Sequence, residues 1–530
     1  MSARRITRRS LLLASAGAIA GGTLRPRTAL ALLNRAPSPT LGEHQLGKLT
    51  ATARSIELAS PVDLVGVEWQ GPAQTNISLR FRGRDGRWSS WVPAGTNGHG
   101  PDVRPATDRQ VGEPIWTGGT RSLQIRASGE TSAAKLHLVN VSGDAETSRS
   151  GRSGVPLGST AGLPLGSSAG LALGSSAGLA LATPQLSAGA GQPPIIARKA
   201  WARGMAPPRV APEYGAVEMA FVHHTENPNG YASGEVPAML RAIYVFHRYV
   251  NGWNDIGYNF VIDLYGRVFE ARAGGIDQAV VGAHAGGYNL FSTGIAVLGT
   301  FSSVAISRPA RASLEKLLAW KLSLHGVASQ GRVTVKVNPA GASYSRFPAD
   351  ARVSLPRVAG HRDGDSTECP GNVLYGELPA IRTGVQRLAP NPTRLTLALT
   401  TPPVAPEAQA TPESGSTTPP TSSATSEAQM LAGVVELLDG TPLSGAPVSI
   451  QARAVTHKGE VVNERTLGET TSNAAGQWEL AATALSPRRS GVWLRAVCPG
   501  GQGFGAAVSD PLHLPAGVSL NAPTASPPGG

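Results

Sequence analysis

With 530 residues, the chain is too long for one hydrophobic core, and its composition indicates several domains. It contains 64 glycines and 42 prolines, concentrated in particular stretches, which favours folded modules on flexible connectors. The formal net charge is +12, and the six arginines of the first 30 residues, which contain no acid, leave +6 for the rest. This modest basic excess favours contact with anionic polymers and is not a nucleic-acid footprint, so we expect no nucleic acid as a partner.

Residues 1–31 have the pattern of an export signal. A basic start is followed by an apolar run at 11–20 and by Thr-Ala-Leu-Ala at 28–31, which provides a cleavage site. The apolar run is too short to anchor the chain in a bilayer. Arg8 and Arg9, within TRRSLLL, resemble the twin-arginine export signal, with an ordinary secretory signal as the alternative. We therefore expect an exported protein without stable membrane insertion, located outside the cell, in the periplasm or at the cell wall.

Residues 50–145 contain short alternating runs such as VDLVGVEW, ISLRFRG and KLHLVNV, with turn residues between them. This spacing predicts an N-terminal antiparallel β-sandwich. Trp69, Trp88, Trp91 and Trp116 fit either core packing or a platform on which sugar rings stack, and we favour packing for most of them.

Two linkers divide the remaining chain. The first, at 146–193, contains the repeated units LGSTAGLP, LGSSAGLA and LGSSAGLA, whose small residues cannot form a core. The second, at 391–429, is rich in Pro, Thr and Ser. After it, strands joined by Asp-Gly and Ala-Gly turns predict an immunoglobulin-like β-sandwich over 430–516 with Cys498 as a buried apolar residue, followed by a disordered tail at 517–530.

The middle domain, 194–390, has patterns that alternate between strand and helix. The alternation predicts a mixed β-sheet with helices packed on it. Strands are expected at 216–224, 258–262, 267–271 and 294–301, and helices at 233–250, 309–325 and 372–388.

The stretch 358–372, VAGHRDGDSTECPGN, carries a histidine and a cysteine between glycines and a proline, so that its side chains can converge. We interpret His361 and Cys369 as two ligands of a catalytic zinc, which usually has three protein ligands and one position for water. A third ligand must come from elsewhere, and FVHHT at 221–225 is the obvious source, with His223 and His224 at the end of a predicted strand.

Four motifs in the middle domain carry a resemblance to a known family. They are FVHHTENPN at 221–229, GWNDIGYNFVIDLYGRVFEAR at 252–272, GAHAGGYNLFSTGIAVLGTF at 282–301 and GHRDGDSTECPGN at 360–372. In this order and spacing they resemble the peptidoglycan recognition protein family, which belongs to the type 2 N-acetylmuramoyl-L-alanine amidases. The resemblance implies a zinc enzyme that cuts the amide between the lactyl group of N-acetylmuramic acid and the L-alanine of the stem peptide.

Carried onto this sequence, the resemblance assigns three metal ligands. It makes His223 the third ligand beside His361 and Cys369, and leaves His224 as a neighbour that packs or contacts the substrate. Zinc in such a set polarises a carbonyl and activates water near neutral pH.

The resemblance also implies catalytic roles for Tyr258 and Thr367. The Tyr258 phenol would donate a hydrogen bond that strengthens in the transition state, with a half-buried strand tyrosine as the alternative. Thr367 stands where bacteriophage lysozyme-type amidases carry a lysine, so it offers a neutral hydrogen bond only. The general acid therefore stays open between residues such as Asp365 and Glu368, although acids in a loop of this kind are more often solvated.

His284 and Asn289, within GAHAGGYN, are implied to line the groove that receives muramic acid and the first stem residues. Trp253 and His247 are placed along the same groove, with helix packing as the alternative. The expected partner is peptidoglycan or a muropeptide, together with other anionic wall polymers, and we expect a monomer.

Two other function classes compete with the amidase. Many recognition proteins bind muropeptides without cutting them, but such members typically lack the cysteine ligand, and this chain has Cys369. A wall-attached adhesion module would predict a degenerate middle domain, whereas the four motifs are intact.

Overall fold

The computed structural model describes residues 4–5, 38–72, 75–94, 99–102, 109–129, 131–142, 191–389, 392–400, 430–455, 461–481, 491–501 and 504–515. Nearly all of the predicted signal peptide, almost all of the repeat linker, most of the second linker and the tail lie outside these ranges. Within them, no helix combines the length and apolar character that crossing a membrane requires.

The first domain is one antiparallel sheet of eight strands in the order β1-β2-β8-β3-β7-β4-β5, with β6 paired to β3. This single sheet differs from the sequence prediction of a sandwich with two packed sheets. Register shifts in β3 between Glu57 and Leu64 mark bulges, which bend a strand and let one continuous sheet enclose its own core. The strands are β1 Arg4–Arg5, β2 Thr40–Gly47, β3 Arg54–Gln70, β4 Asn76–Phe81, β5 Val92–Pro93, β6 Arg109–Val111, β7 Ile115–Ser128 and β8 Ser132–Asn140.

The four tryptophans of this domain have different surroundings. Trp69 and Trp116 are buried, as expected for packing residues. Trp88 is 39% exposed. Trp91 stacks under the guanidinium of Arg126, 4.2 Å from the ring centroid.

The middle domain has a six-stranded mixed sheet in the order β16-β10-β13-β11-β12-β9, in which β11 and β12 are antiparallel and the other pairs parallel. Helices cover both faces, so every residue of the central strands is buried, including the polar residues at one end of each of two strands. The strands are β9 Ile195–Ile196, β10 Met219–His224, β11 Phe260–Ile262, β12 Val268–Glu270, β13 Ser292–Val297 and β16 Val358–Gly360.

Four helices and one hairpin complete this domain. The helices are α1 Arg198–Trp201, α2 Val236–Val245, which continues as a π-helical turn over Phe246–Val250, α3 Arg308–Leu324 and α4 Asn372–Leu388. The side chain of Ser307 accepts a hydrogen bond from the Ala310 amide at 3.2 Å and caps α3. The hairpin, β14 Arg332–Lys336 with β15 Arg352–Pro356, was not predicted from the sequence.

The third domain consists of two antiparallel sheets around a core that contains Trp478 and the fully buried Cys498. Its first two strands, β17 Thr393–Leu395 and β18 Ala398–Thr400, fall inside the range predicted as the second linker and pair with β19 Met430–Leu437. The other strands are β20 Pro447–Val455, β21 Val461–Thr471, β22 Gln477–Ala481, β23 Val492–Cys498, β24 Ala507–Val508 and β25 Leu512–Leu514.

A buried charge cluster joins the third domain to the middle domain. The Asp277 carboxylate pairs with Arg453 of β20 at 3.3 Å and with Arg495 of β23. Burial alone would raise the pKa of Asp277, but the two guanidinium groups outweigh it and hold that pKa below its ordinary value. Lys321 of α3 lies nearby and donates to the carbonyls of Ile276 and Gln278, at 2.9 and 2.7 Å. The carboxylate thus neutralises positive charge that would otherwise be buried between the domains.

We expect Asp277→Asn to destabilise this junction by about 3 kcal/mol, because it removes the buried carboxylate partner of Arg453 and Arg495 and leaves them beside the partly exposed carboxylate of Glu464. Thermal unfolding monitored by circular dichroism would show a lower transition temperature. The matched control is Glu436→Gln, whose Arg394 partner is 51% exposed, so its effect should stay below about 1 kcal/mol. Equal transition temperatures for Asp277→Asn and Glu436→Gln would contradict this role for the cluster.

Candidate active site

Two parallel strands and one loop bring the three predicted ligands together. β10 pairs with β16 in parallel, with Val222 opposite Gly360, so His223 and His361 follow at the same edge of the sheet. The loop after β16 returns Cys369 to this edge. The ligand atoms of the three side chains lie within 4.8 Å of one another, and all three residues are buried.

Each imidazole is oriented by a partner on its far side. His361 Nε2 lies 2.9 Å from Asp365 Oδ2, which also accepts the amide of Gly286 at 2.9 Å. His361 Nδ1 is buried and makes no hydrogen bond, so it is the nitrogen that can bind a metal. His223 lies with Nε2 at 3.2 Å from Nδ1 of His284 and with Nδ1 at 3.8 Å from Cys369 Sγ. Such outer hydrogen bonds set the orientation of metal-binding imidazoles.

The protonation chemistry of the group fits a bound cation. Burial lowers the pKa of His223 and His361 well below the ordinary histidine value, so both imidazoles are neutral and keep a lone pair. Burial raises the pKa of the Cys369 thiol, and the backbone amide of His224, 3.4 Å from Sγ, opposes that rise. A metal cation supplies the positive charge that stabilises the thiolate. Two neutral imidazoles and one thiolate form a donor set typical of zinc sites that keep a position for water.

Tyr258 and Thr367, the predicted catalytic residues, make different contacts with the metal group. The Tyr258 ring is 5.4 Å from the His223 ring and is almost fully buried. Burial raises the pKa of this phenol well above its ordinary value, so it stays a hydrogen-bond donor. Thr367 is half-buried, and its Oγ1 accepts from the Cys369 amide at 3.2 Å, which stabilises the ligand loop.

The two acids of this loop differ from each other. The Glu368 side chain is 86% exposed, as expected for a loop acid. Asp365 departs from that expectation, because the Gly286 amide and the His361 imidazole hold it inside the protein. Asp365 contacts His361 at Nε2, on the side of the ring opposite the nitrogen that can bind a metal.

The predicted groove residues are all buried near the metal group. His284 contacts His223, and Asn289 Oδ1 accepts from the His284 amide at 2.8 Å. The His247 and Trp253 rings lie 4.5 Å apart, and His247 Nδ1 accepts from the Gly257 amide at 3.1 Å. His224 lies on the opposite side of the ligand strand, where its Nδ1 accepts from the Phe301 amide at 3.4 Å, which is a packing position.

Residues of the first domain also reach this site, and the sequence analysis did not identify them. His99 lies 5.2 Å from Trp253 and 5.4 Å from Tyr258, between ring centroids. Its Nδ1 contacts Glu113 at 3.0 Å. Asp102 accepts a hydrogen bond from Asn289 Nδ2 at 2.9 Å. The sequence alone contained only a weak indication of His99, because a histidine between two glycines is common in loops without a function.

Comparisons with known proteins identify the family of the middle domain. Residues 213–372 match a family described as N-acetylmuramoyl-L-alanine amidase, and residues 25–149 match one described as Rv3811 N-terminal galactose-binding domain-like. Peptidoglycan-recognition protein SC2 of Drosophila simulans is 30% identical over 159 residues, which are 30% of this chain and 71% of that protein. The chain therefore belongs to the peptidoglycan-recognition protein family, as its motifs predicted.

Two further similar proteins extend this picture. The human N-acetylmuramoyl-L-alanine amidase is 27% identical over 208 residues, which are 38% of this chain and 31% of that protein. The wild-type Drosophila PGRP-LB structure is 25% identical and covers 35% of this chain and 92% of its own, with a TM-score of 0.26.

We expect Asp365→Asn to weaken zinc binding by about 10- to 100-fold, because the amide replaces the carboxyl group that contacts His361 Nε2 and orients the ring less well. Competition with a chromogenic chelator would measure the affinity of the full-length chain. The matched control is Glu368→Gln, an exposed change in the same loop that should leave the affinity unaltered. An Asp365→Asn affinity equal to that of the control would contradict the orienting role.

Proposed function

We propose that the chain is a zinc-dependent N-acetylmuramoyl-L-alanine amidase that hydrolyses the amide between the muramic acid lactyl group and L-alanine of the peptidoglycan stem. The observation that carries this proposal is the buried group of His223, His361 and Cys369 beside the Tyr258 phenol. The amidase family match over residues 213–372 and the human amidase supply the reaction class.

Within this proposal, the protein side chains have distinct tasks. Zinc held by the three ligands would supply Lewis acidity for the scissile carbonyl and for water. Tyr258 would donate a hydrogen bond to the oxygen on which negative charge develops, and it can do so because its phenol stays protonated. Asp365 and His284 hold the imidazoles of His361 and His223 in place, so that little reorganisation accompanies the reaction.

The proposed setting is outside the cytoplasm. The N-terminal pattern supports export by a twin-arginine signal, and the net basic charge supports contact with anionic wall polymers. The substrate is then peptidoglycan or a soluble muropeptide, acted on by a monomer.

We expect Cys369→Ala to lower kcat/KM by at least about a hundredfold, because the loss of a ligand removes the several kcal/mol that a metal contributes to the transition state. New L-alanine amino termini released from purified peptidoglycan would measure the activity. Metal analysis should show reduced zinc, and circular dichroism should show a retained fold. The control is Cys498→Ala, the cysteine of the third domain, which should keep both zinc and activity.

A wild-type protein that binds peptidoglycan and releases no L-alanine termini would support the competing recognition function instead. Equal release of L-alanine amino termini by wild type and Cys369→Ala would contradict the assignment of Cys369 as a zinc ligand.

Tyr258→Phe should lower kcat by about 100-fold or more and leave the zinc content unchanged, because it removes a hydrogen bond that strengthens in the transition state. Steady-state kinetics on a soluble muropeptide would separate kcat from KM. The control is Tyr265→Phe, a largely exposed tyrosine whose hydroxyl donates to the Tyr231 carbonyl at 2.9 Å. A normal kcat for Tyr258→Phe would show that its phenol takes no part in the reaction.

A further inference from the structure

The first domain covers the candidate active site. The residues that a substrate must reach are almost fully inaccessible in the described structure, with Tyr258 at 2%, Trp253 at 3% and Asn289 at 1% exposure. An enzyme that acts on a polymer requires an open groove over these groups. The segment His99–Asp102, which we name the plug, belongs to the first domain and lies where that groove would be.

His99 fills the space beside the metal group. Its ring centroid is 5.8 Å from those of His361 and His247, and 6.3 Å from that of His223. The residue is 2% exposed, and Glu113 of its own domain holds its Nδ1 at 3.0 Å. A substrate carbonyl cannot approach the Tyr258 hydroxyl and the metal ligands from this side while the imidazole is in place.

Asp102 occupies the hydrogen-bond donors of the neighbouring part of the groove. Its Oδ1 accepts from the Gly287 amide at 2.7 Å and from Asn289 Nδ2 at 2.9 Å, and its Oδ2 lies 3.5 Å from Asn338 Nδ2. The carbonyl of Gly100 accepts from the same Asn289 amide at 2.9 Å. These donors suit a carbonyl or carboxylate oxygen of a ligand, so the plug satisfies groups that a bound ligand would otherwise satisfy.

A continuous apolar interface holds the plug in position. Leu64, Trp116 and Val139 of the first domain share one buried cluster with residues of α2. Gly66 of β3 faces Phe246 so closely that a Cβ at position 66 would lie 2.0 Å from that ring.

Polar contacts reinforce this interface. The Trp116 amide donates to Asn227 Oδ1 at 2.6 Å, and Arg109 Nη2 donates to the Val250 carbonyl at 3.1 Å. The first domain therefore packs against the middle domain, and this packing holds the plug in the groove.

We propose that the first domain is an intramolecular inhibitor whose plug, His99–Asp102, closes the amidase groove until the domain moves away. The inference rests on the proposed function and adds its regulation. It makes the first domain a regulator that binds the middle domain of the same chain. Substrate and plug compete for the same groove, so the apparent activity scales with the fraction of molecules in the open state.

Two changes to the full-length, zinc-loaded protein test the proposal. The double variant His99→Ala/Asp102→Ala removes the plug side chains. The single variant Gly66→Leu is designed to undock the domain through a clash with Phe246, and it substitutes no residue of the plug or of the metal group. The matched control is Asp85→Asn, in an exposed turn of the first domain. Two quantities are measured for each: the rate of zinc transfer to a chelator, and kcat/KM on a soluble muropeptide.

We expect both variants to transfer zinc at least about tenfold faster than wild type and to show a higher kcat/KM, since a tenfold change in open population corresponds to a shift of only 1.4 kcal/mol. Unchanged zinc transfer in both variants would overturn the proposal. Lower kcat/KM with unchanged zinc transfer would overturn it too, and would make His99 a catalytic residue. Faster zinc transfer in chains that all lack amidase activity would support the plug and count against the proposed reaction.

Discussion

The parallel pairing of β10 with β16 is the constraint on which the site depends. Parallel neighbours end at the same edge of a sheet, so the residues that follow them are brought together by the backbone alone. Here those residues are His223 and His361. The register that pairs Val222 with Gly360 places them side by side along the strand direction. The loop that closes over this edge needs only to return Cys369. One strand end and one loop, distant in sequence, therefore supply the three ligands of the metal group.

Burial then gives these side chains their chemistry. In a low-dielectric interior, neutral imidazoles and protonated phenols are favoured over their charged forms, which gives His223, His361 and Tyr258 the protonation states that the proposed reaction uses. Burial favours the neutral thiol of Cys369 in the same way, so the thiolate depends on a bound cation. The same burial makes an isolated carboxylate costly, and burial raises the pKa of Asp365 well above its ordinary value. The Gly286 amide opposes that rise, which links the ligand loop to the GAHAGGYN segment. The ligands and the groove therefore form one connected hydrogen-bonded unit.

The domain junctions have different physical characters. The junction with the third domain contains a buried carboxylate between two guanidinium groups, a contact whose disruption leaves charge in the interior. The junction with the first domain is mainly apolar and ends in a polar segment that reaches the groove. An apolar interface can separate without stranding charges, which suits a contact that opens and closes. The chemistry of the first junction thus suits the reversible cover that we propose, whereas separation of the other junction would remove the buried Asp277 from its two guanidinium partners.

Local patterns in the sequence determined the main helices and central strands of the middle domain and the chemistry of its ligands, but not the β14–β15 hairpin. The helix predicted over 372–388 is α4 Asn372–Leu388, because helical periodicity is a property of neighbouring residues. His361 and Cys369 were identified as candidate ligands from their residue types and spacing. The family resemblance added His223, and the placement of this strand-end residue beside them follows from the strand pairing.

Only the tertiary structure decided which groups meet across domains and which loop acids are buried. The burial of Asp365 depends on Gly286, which belongs to another motif, and a loop sequence alone does not contain that contact. The arrival of His99 and Asp102 at the groove depends on the docking of an entire sheet against α2. Docking is decided by the shapes of two folded surfaces, to which residues far apart in the chain contribute. For that reason sequence periodicity and motif spacing could indicate the metal group, whereas its cover became visible only in the folded chain.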